Sequence, residues 1–363
     1  VTHGALSATQ QAYFNNLCSK PLVATQCSTL SPSDKIEANK GETLVNYLLG
    51  NRVHEAPVTE GTTTAAPLYR ERDHILGDII NGAPVYVGKP PFSYADAGYA
   101  DFVATPRVSM IYAAANDGML HAFEAGSGEE QWAFIPSAVM SNMYKLADNG
   151  YDTKHQYFVD GAPVMGDIKV GDVWKTIVVG GLNKGGKAYY ALDITNPSSQ
   201  KLLWEFTNSN LGLTFGNPVI TKNAAGTWIV AFASGYNNET GDGKGRLFIV
   251  NANTGAEIVS GGIPTAAGDT TTPSGLSKIN AWIDDASNNT ATRFYGGDLL
   301  GNVWRFDYDS LVEPNNSALK LGIAQVGSTP QPITTKPMLI QASGKPVVIV
   351  GTGRYLGEDD LSD

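Results

Sequence analysis

From residue 81 onward the chain is written in short apolar runs cut by glycine, asparagine and proline. MIYAAA, TIVVGG, WIVAFA and TRFYGG are each long enough for one strand, and each leads through a polar turn into a second run carrying aromatics. Runs this short, rich in β-branched and aromatic residues and bounded by turn formers, predict β-strands rather than helices.

The runs also repeat in a fixed internal order. A small residue, a proline and an apolar strand recur as NGAPVYVG, DGAPVMGDI, GNPVIT and TKPMLIQ, placing Pro84, Pro163, Pro218 and Pro337 alike. Proline is tolerated at the first position of a strand because its missing N–H falls outside the ladder. Longer units follow these openings: MIYAAANDGMLHAFEAGSGEEQWAF, TIVVGGLNKGGKAYYALDITNPSSQKLLWEF, WIVAFASGYNNETGDGKGRLFIVNANTGAEIV and TRFYGGDLLGNVWRFDYDS. The last of these is reached through LSKINAWID without a proline, and a fifth unit begins at PVVIVGTGRYLG. Units of this length predict propeller blades with insertions. The expectation is an all-β chain, a β-propeller over residues 71–363 that stops before its ring closes. Small residues before each turn (Ala113 to Ala115, Gly180 and Gly181, Ala233 and Ser234, Gly296 and Gly297) suit crowded strands where blades converge.

Residues 1–70 follow another period. SATQQAYFNNL and GETLVNYLLGN space their apolar residues as helices do, so that Leu44, Tyr47 and Leu48 share a face and Gly50 ends it. TEGTTTAAP, residues 59–67, reads as a linker. Residues 1–70 are therefore taken as a helical and loop lead-in. It contains both cysteines, Cys18 and Cys27, in CSKPLVATQC. An Asn/Thr/Ser/Gly-rich composition resembling exported proteins favours a local disulfide, with two free thiols as the alternative.

Composition narrows the function classes. With 25 basic and 35 acidic residues, net charge −10 and no basic stripe interleaved with aromatics, nucleic acid is not an expected partner. No run approaches the roughly 20 apolar residues that span a bilayer, so no transmembrane segment is expected. No signal peptide opens the chain, which reads as a mature piece of something larger.

HAFEAGSGEEQW and FIVNANTGAEI share the form aromatic, apolar, x, Ala, x, Ser/Thr, Gly found in blades of quinoprotein-type propellers, where the turn and a following Trp dock one blade on the next. The ordered set LGDIINGAPVYVG, NDGMLHAF, WAFIPSAVM, YFVDGAPVMGD, YYALDITNP, TFGNPVI, GGDLLGNVWRFD and VGTGRYLG resembles the C-terminal propeller of the PilY/PilC family of type IV pilus tip-associated proteins, over residues 70–363. The resemblance implies a non-enzymatic pilus tip and assembly factor and adhesin module. It would support pilus biogenesis, twitching motility and surface attachment, with minor pilins and a host or abiotic surface ligand as partners. It also implies an extracellular place at the pilus tip or outer membrane of a Gram-negative bacterium, reached through the periplasm.

Calcium is the one cofactor weighed. The family often carries an EF-hand-like loop before the strand matching RFYGGDLLGN, and the corresponding stretch here is Asp284-Asp285-Ala286-Ser287-Asn288-Asn289-Thr290-Ala291-Thr292. Asp284, Asn288 and Asn289 are its candidate ligands, a degenerate set with carboxylates missing from the alternating pattern. A calcium-regulated adhesive ligand-binding module is the first alternative reading; an Asx-rich loop capping its own backbone is the plainer one. YNNETGDGKG, residues 236–245, is a second oxygen-rich loop, read as an exposed hairpin tip. A quinoprotein dehydrogenase is the alternative from another class. No pyrroloquinoline quinone is expected, since the adjacent-cysteine pair of many such enzymes is absent and both cysteines precede the propeller. Asp117, Asp193 and Asp298 read as turn formers, His121 as a packed strand residue and His74 as part of a salt-bridged approach to the first blade. Trp132, Trp204 and Trp304 read as equivalent interblade packing residues.

Overall fold

A computed structural model describes residues 2–55, 67–308, 316–356 and 360. Of the expected linker, 59–67, all but Pro67 lies outside the described residues.

The chain divides into two compact units: Val1–Ile80 with Ala114–His121 and Ala133–Asp160, and Asn81–Ala113 with Ala122–Trp132 and Gly161–Asp363. The first is helical at its start: α1 (Ala8–Phe14), α2 (Ala24–Cys27), α3 (Pro32–Ala38) and α4 (Gly41–Leu48). Ser7 starts α1 with a reciprocal capping box to Gln10, and Ser31 with Pro32 starts α3. Leu44, Tyr47 and Leu48 of α4 are buried together, and Gly50 takes the positive φ of +102° beyond its end. Tyr47 donates from its hydroxyl to the carbonyls of Arg70 (3.1 Å) and Leu146 (3.2 Å). Burial pushes that phenol up to about 12.

A disulfide joins Cys18 and Cys27, whose Cα atoms lie 5.5 Å apart. It holds α2 so that neighbouring Gln26 donates to the carbonyls of Leu68 (3.0 Å) and Ala147 (3.1 Å) and accepts from Asn149 N at 2.9 Å. Replacing both cysteines by serine is expected to lower stability by about 2–3 kcal/mol, the entropy of the short loop released in the unfolded chain. Denaturant midpoints with and without reductant check this. The variant should lose its sensitivity to reductant.

Most of the strand residues belong to the second unit. β1 (Val85–Val87), β2 (Met110–Ala115), β3 (Met119–Glu124) and β4 (Glu130–Phe134) form one antiparallel four-stranded sheet in that order. A second contains β5 (Val164–Val170), β6 (Val173–Gly181), β7 (Tyr189–Asp193) and β8 (Lys201–Phe206). The third contains β9 (Val219–Lys222), β10 (Trp228–Ala233), β11 (Arg246–Asn251) and β12 (Ile263–Pro264). The fourth contains β13 (Ile279–Ile283), β14 (Ala291–Gly297), β15 (Asn302–Asp307) and β16 (Ser317–Ile323). Two hairpins follow, β17 (Gln325–Val326) with β18 (Thr329–Pro330) and β19 (Met338–Ala342) with β20 (Lys345–Ile349). Each repeated proline stands immediately before the first strand of its sheet, at β1, β5, β9 and β19.

Sheets two, three and four are layered through continuous apolar cores, and β10 shows how. All six of its residues are buried. Val230 and Phe232 join a core with Ile177, Val179, Trp204 and Phe206 of the second sheet. Ile229, Ala231 and Ala233 join another with Ile279, Phe294, Trp304 and Phe306 of the fourth. Successive side chains on a strand point to opposite faces, so a strand covered on both sides becomes wholly apolar.

The small residues end the second strands, where backbone crosses backbone. A Cβ on Gly181 would lie 2.7 Å from the Thr214 carbonyl, and one on Gly297 would lie 2.2 Å from Ile333 Cγ2. Both neighbours belong to the segment approaching the next sheet.

Candidate functional site

The loop expected to hold a cation joins β13 to β14 and borders a cleft of about 350 Å³, lined by Trp282, Asp284, Asp285, Asn288 and Arg293 among others. Its shape is made by its own polar groups. Asp285 Oδ1 accepts from Ser287 N (2.8 Å) and Ser287 Oγ (2.7 Å), which hold that carboxyl below its usual range. Asp284 Oδ1 accepts the indole N–H of Trp282 at 2.7 Å, and Asn288 Oδ1 accepts from Thr290 Oγ1 at 3.0 Å.

Asn289 faces elsewhere. Its side chain is buried, its amide nitrogen donates to Tyr94 OH (3.0 Å), and its carbonyl accepts from Thr221 Oγ1 (2.7 Å) and Lys222 N (2.8 Å). Its φ of +51° is one asparagine tolerates better than most residues. Asp284 and Asn288 are thus brought to one cleft, while Asn289 fastens the loop to β9. Two carboxylates beside an arginine do not fit the six to eight oxygen ligands of a tight calcium cage. Among the described residues no group of three or more His, Cys, Asp or Glu side chains is placed to hold a metal ion. Asp284→Ala is expected to change stability by less than about 0.5 kcal/mol, as surface changes away from caps and cores do. Melting with and without millimolar calcium should place variant and parent together.

The 236–245 loop is more than a hairpin tip. Asn238 is fully buried, its amide donating to the carbonyls of Asn210 (3.2 Å) and Lys244 (2.9 Å). Asp242 pairs with Arg246, and Lys187 donates to the Asn237 carbonyl at 2.6 Å. The sequence reading missed the ties to Asn210 and Lys187 because those partners lie 28 and 50 residues away.

The aspartates expected in turns are there. Asp117 accepts from Met119 N (3.1 Å) and Gly77 N (2.8 Å), and Asp193 accepts from Thr195 N (3.1 Å). Asp298, fully buried between β14 and β15, accepts from Ser274 Oγ, Leu300 N, Asn302 N and Nδ2, and Trp304 Nε1, at 2.8–3.1 Å. His121 is buried against Asp117 (3.0 Å). His74 is exposed, and among the described residues the ion pair expected around it is made instead by Arg72 with buried Glu55 (Nε to Oε1, 2.8 Å).

The tryptophans split. Trp132 on β4 donates to the Pro197 carbonyl in the β7–β8 turn of the next sheet (2.8 Å). Trp204 on β8 donates to the Ala252 carbonyl in the Thr-Gly turn after β11 (3.0 Å). These two occupy fourth strands and clasp the following sheet. Trp304 does not share their position: it lies on the third strand, β15, and donates to Asp298 within its own sheet. The shared letters W-x-F hid a shift of one strand.

A further polar group went unread. Asp167, in the middle of β5, accepts from Tyr99 OH (2.8 Å) and Thr176 Oγ1 (2.6 Å), and Arg107 donates to the same threonine at 2.7 Å. Burial raises the Asp167 carboxyl and lowers Arg107. The signal available was an aspartate inside an otherwise apolar strand, VMGDIKV.

Four sheets of four antiparallel strands, three of them opened by proline and two clasped by a tryptophan to the next turn, define a β-propeller. The chain belongs to the PilY1 β-propeller family, whose domain model matches residues 76–363. It is 37% identical over 340 residues to a type IV pilus biogenesis factor PilY1 homolog of Xylella fastidiosa (strain Temecula1 / ATCC 700964), a match covering 88% of this chain and 26% of that protein. It is 34% identical over 398 residues to type IV pilus biogenesis factor PilY1 of Pseudomonas aeruginosa (strain PAK), covering 99% of this chain and 32% of that protein. The crystal structure of the Pseudomonas aeruginosa PilY1 C-terminal domain matches with a TM-score of 0.63 and 31% identity, over 76% of this chain and 61% of that one. The chain therefore spans about a third or less of the length of the two pilus biogenesis factors.

Proposed function

We propose that the chain is the propeller platform of a non-catalytic type IV pilus biogenesis factor, placed at the pilus tip or outer membrane after export through the periplasm. It binds minor pilins there and supports assembly, twitching motility and attachment to host or abiotic surfaces. The observation that carries this reading is the family match over residues 76–363, with relatives named as pilus biogenesis factors. The construction of the sheets supports it: buried Asp298 and Asp167 are satisfied by donors of the surrounding framework, as structural groups are. Among the described residues no helix is long and apolar enough to cross a membrane.

The parent protein, immobilised and incubated with the purified minor pilins of the same organism, should retain them through washing. Failure to retain any of them contradicts the reading. Reduction of an artificial dye after incubation with pyrroloquinoline quinone would replace it with the dehydrogenase alternative.

A further inference from the structure

Lys278 stands directly before β13, at the place Pro84, Pro163 and Pro218 hold before β1, β5 and β9. A cavity of about 200 Å³ opens where the segments approaching these four sheets meet, lined by Asn81, Gly161, Gly216, Asn217 and Lys278, with Asn183 from beyond β6. Among the described residues no carboxylate lines it. Its walls are main chain in close contact: a Cβ on Gly161 would lie 2.3 Å from the Gly181 carbonyl oxygen, and one on Gly216 would lie 2.5 Å from that of Ser277. Walls of packed backbone cannot swing inward to fill the space, as a long side chain could.

The ammonium of Lys278 donates to Asn217 Oδ1 at 2.7 Å, a neutral partner. Burial lowers its pKa, and the nearby charge of Lys336 acts in the same direction. Two other sheltered lysines are paired with carboxylates. Lys222 meets Asp96 at 2.8 Å and Lys175 meets Asp193 at 3.3 Å. In a protein of net charge −10, two neighbouring lysines without an acidic partner among the described residues form a site lacking its counter-charge.

We propose that this cavity binds a small oxyanion, inorganic phosphate or the carboxylate of a small organic acid, held by the Lys278 ammonium and the side-chain amide of Asn217. With Oδ1 engaged by the lysine, the Asn217 NH₂ is left to donate to the anion. The charge of Lys336, which acts on Lys278, adds to the positive potential there. The site is independent of the pilus-assembly reading.

Thermal unfolding of the full chain in phosphate, malonate and chloride at matched ionic strength tests it, because a ligand that binds the folded state raises the midpoint by mass action. The midpoint should rise saturably with phosphate or malonate and stay flat with chloride, and a response to one alone identifies which source supplies the oxyanion. Lys278→Gln should weaken the response roughly tenfold or more, as expected for a lost charge-assisted hydrogen bond. Asn217→Asp keeps the ammonium but gives it a carboxylate, and it should weaken the response similarly. It decides the matter if Lys278→Gln does not fold. No saturable shift in the parent chain, or an unchanged response in Asn217→Asp, overturns the proposal.

Discussion

Asp298→Ala is expected to destabilise the second unit by about 3 kcal/mol or more, because several buried donors lose their acceptor at once. The carboxylate is fully buried, and its two oxygens collect the Ser274 hydroxyl, the Leu300 and Asn302 main-chain N–H groups, the Asn302 amide and the Trp304 indole. Its own carbonyl accepts from Ile333 N at 3.0 Å and Gly301 N at 3.1 Å. The turn thus holds the approaches to β13 and β19 together with its own sheet. Asp298→Asn should recover only part of the loss, since an NH₂ placed at Oδ2 would face the Trp304 N–H, a donor against a donor. Urea unfolding reads the effect as a lower midpoint at unchanged slope. A midpoint within experimental error of the parent's would show that the network is not what orders this turn.

Trp204→Ala is expected to cost about 3–5 kcal/mol, the range for emptying a large aromatic from a packed core. The side chain lies in the core shared by the second and third sheets, beside Phe206, Trp228 and Phe248. Gly255, at φ +71°, brings the next sheet's turn so near that a Cβ there would lie 2.6 Å from Trp204 Cγ. Trp204→Phe keeps much of the packing and loses the bond to the Ala252 carbonyl, so about 1–2 kcal/mol should separate it from the parent. Trp132→Ala removes the same kind of bond from a half-buried site and should cost clearly less than Trp204→Ala. Equal costs for the two alanine variants would deny that the clasp works chiefly through buried packing.

Much of the framework was legible because it is local. The prolines before β1, β5, β9 and β19 and the small residues ending the second strands are short-range signals. The helical face of Leu44, Tyr47 and Leu48 is likewise set by spacing alone. What escaped the reading is set by partners distant in sequence. Asn289 could be seen as an oxygen-bearing loop residue, but not that Tyr94 and β9 would turn it inward. Trp304 matched a pattern of letters, yet its strand is third rather than fourth, because the fourth sheet reaches its Trp-bearing strand one step earlier. Lys278 was visible only as a missing proline; its meaning depends on Asn217 and on three other approach segments meeting it. Strand order follows from period and punctuation, whereas a site requires knowing which turns come together.

The most direct measurement of the central claim is surface piliation in the organism that encodes this chain, scored by shearing pili from cells and quantifying pilin. Deleting the parent gene should abolish or sharply reduce sheared pilin, the intact gene should restore it, and a copy carrying Trp204→Ala should restore it poorly. Undiminished piliation in the deletion strain, with no other family member present, would contradict the account.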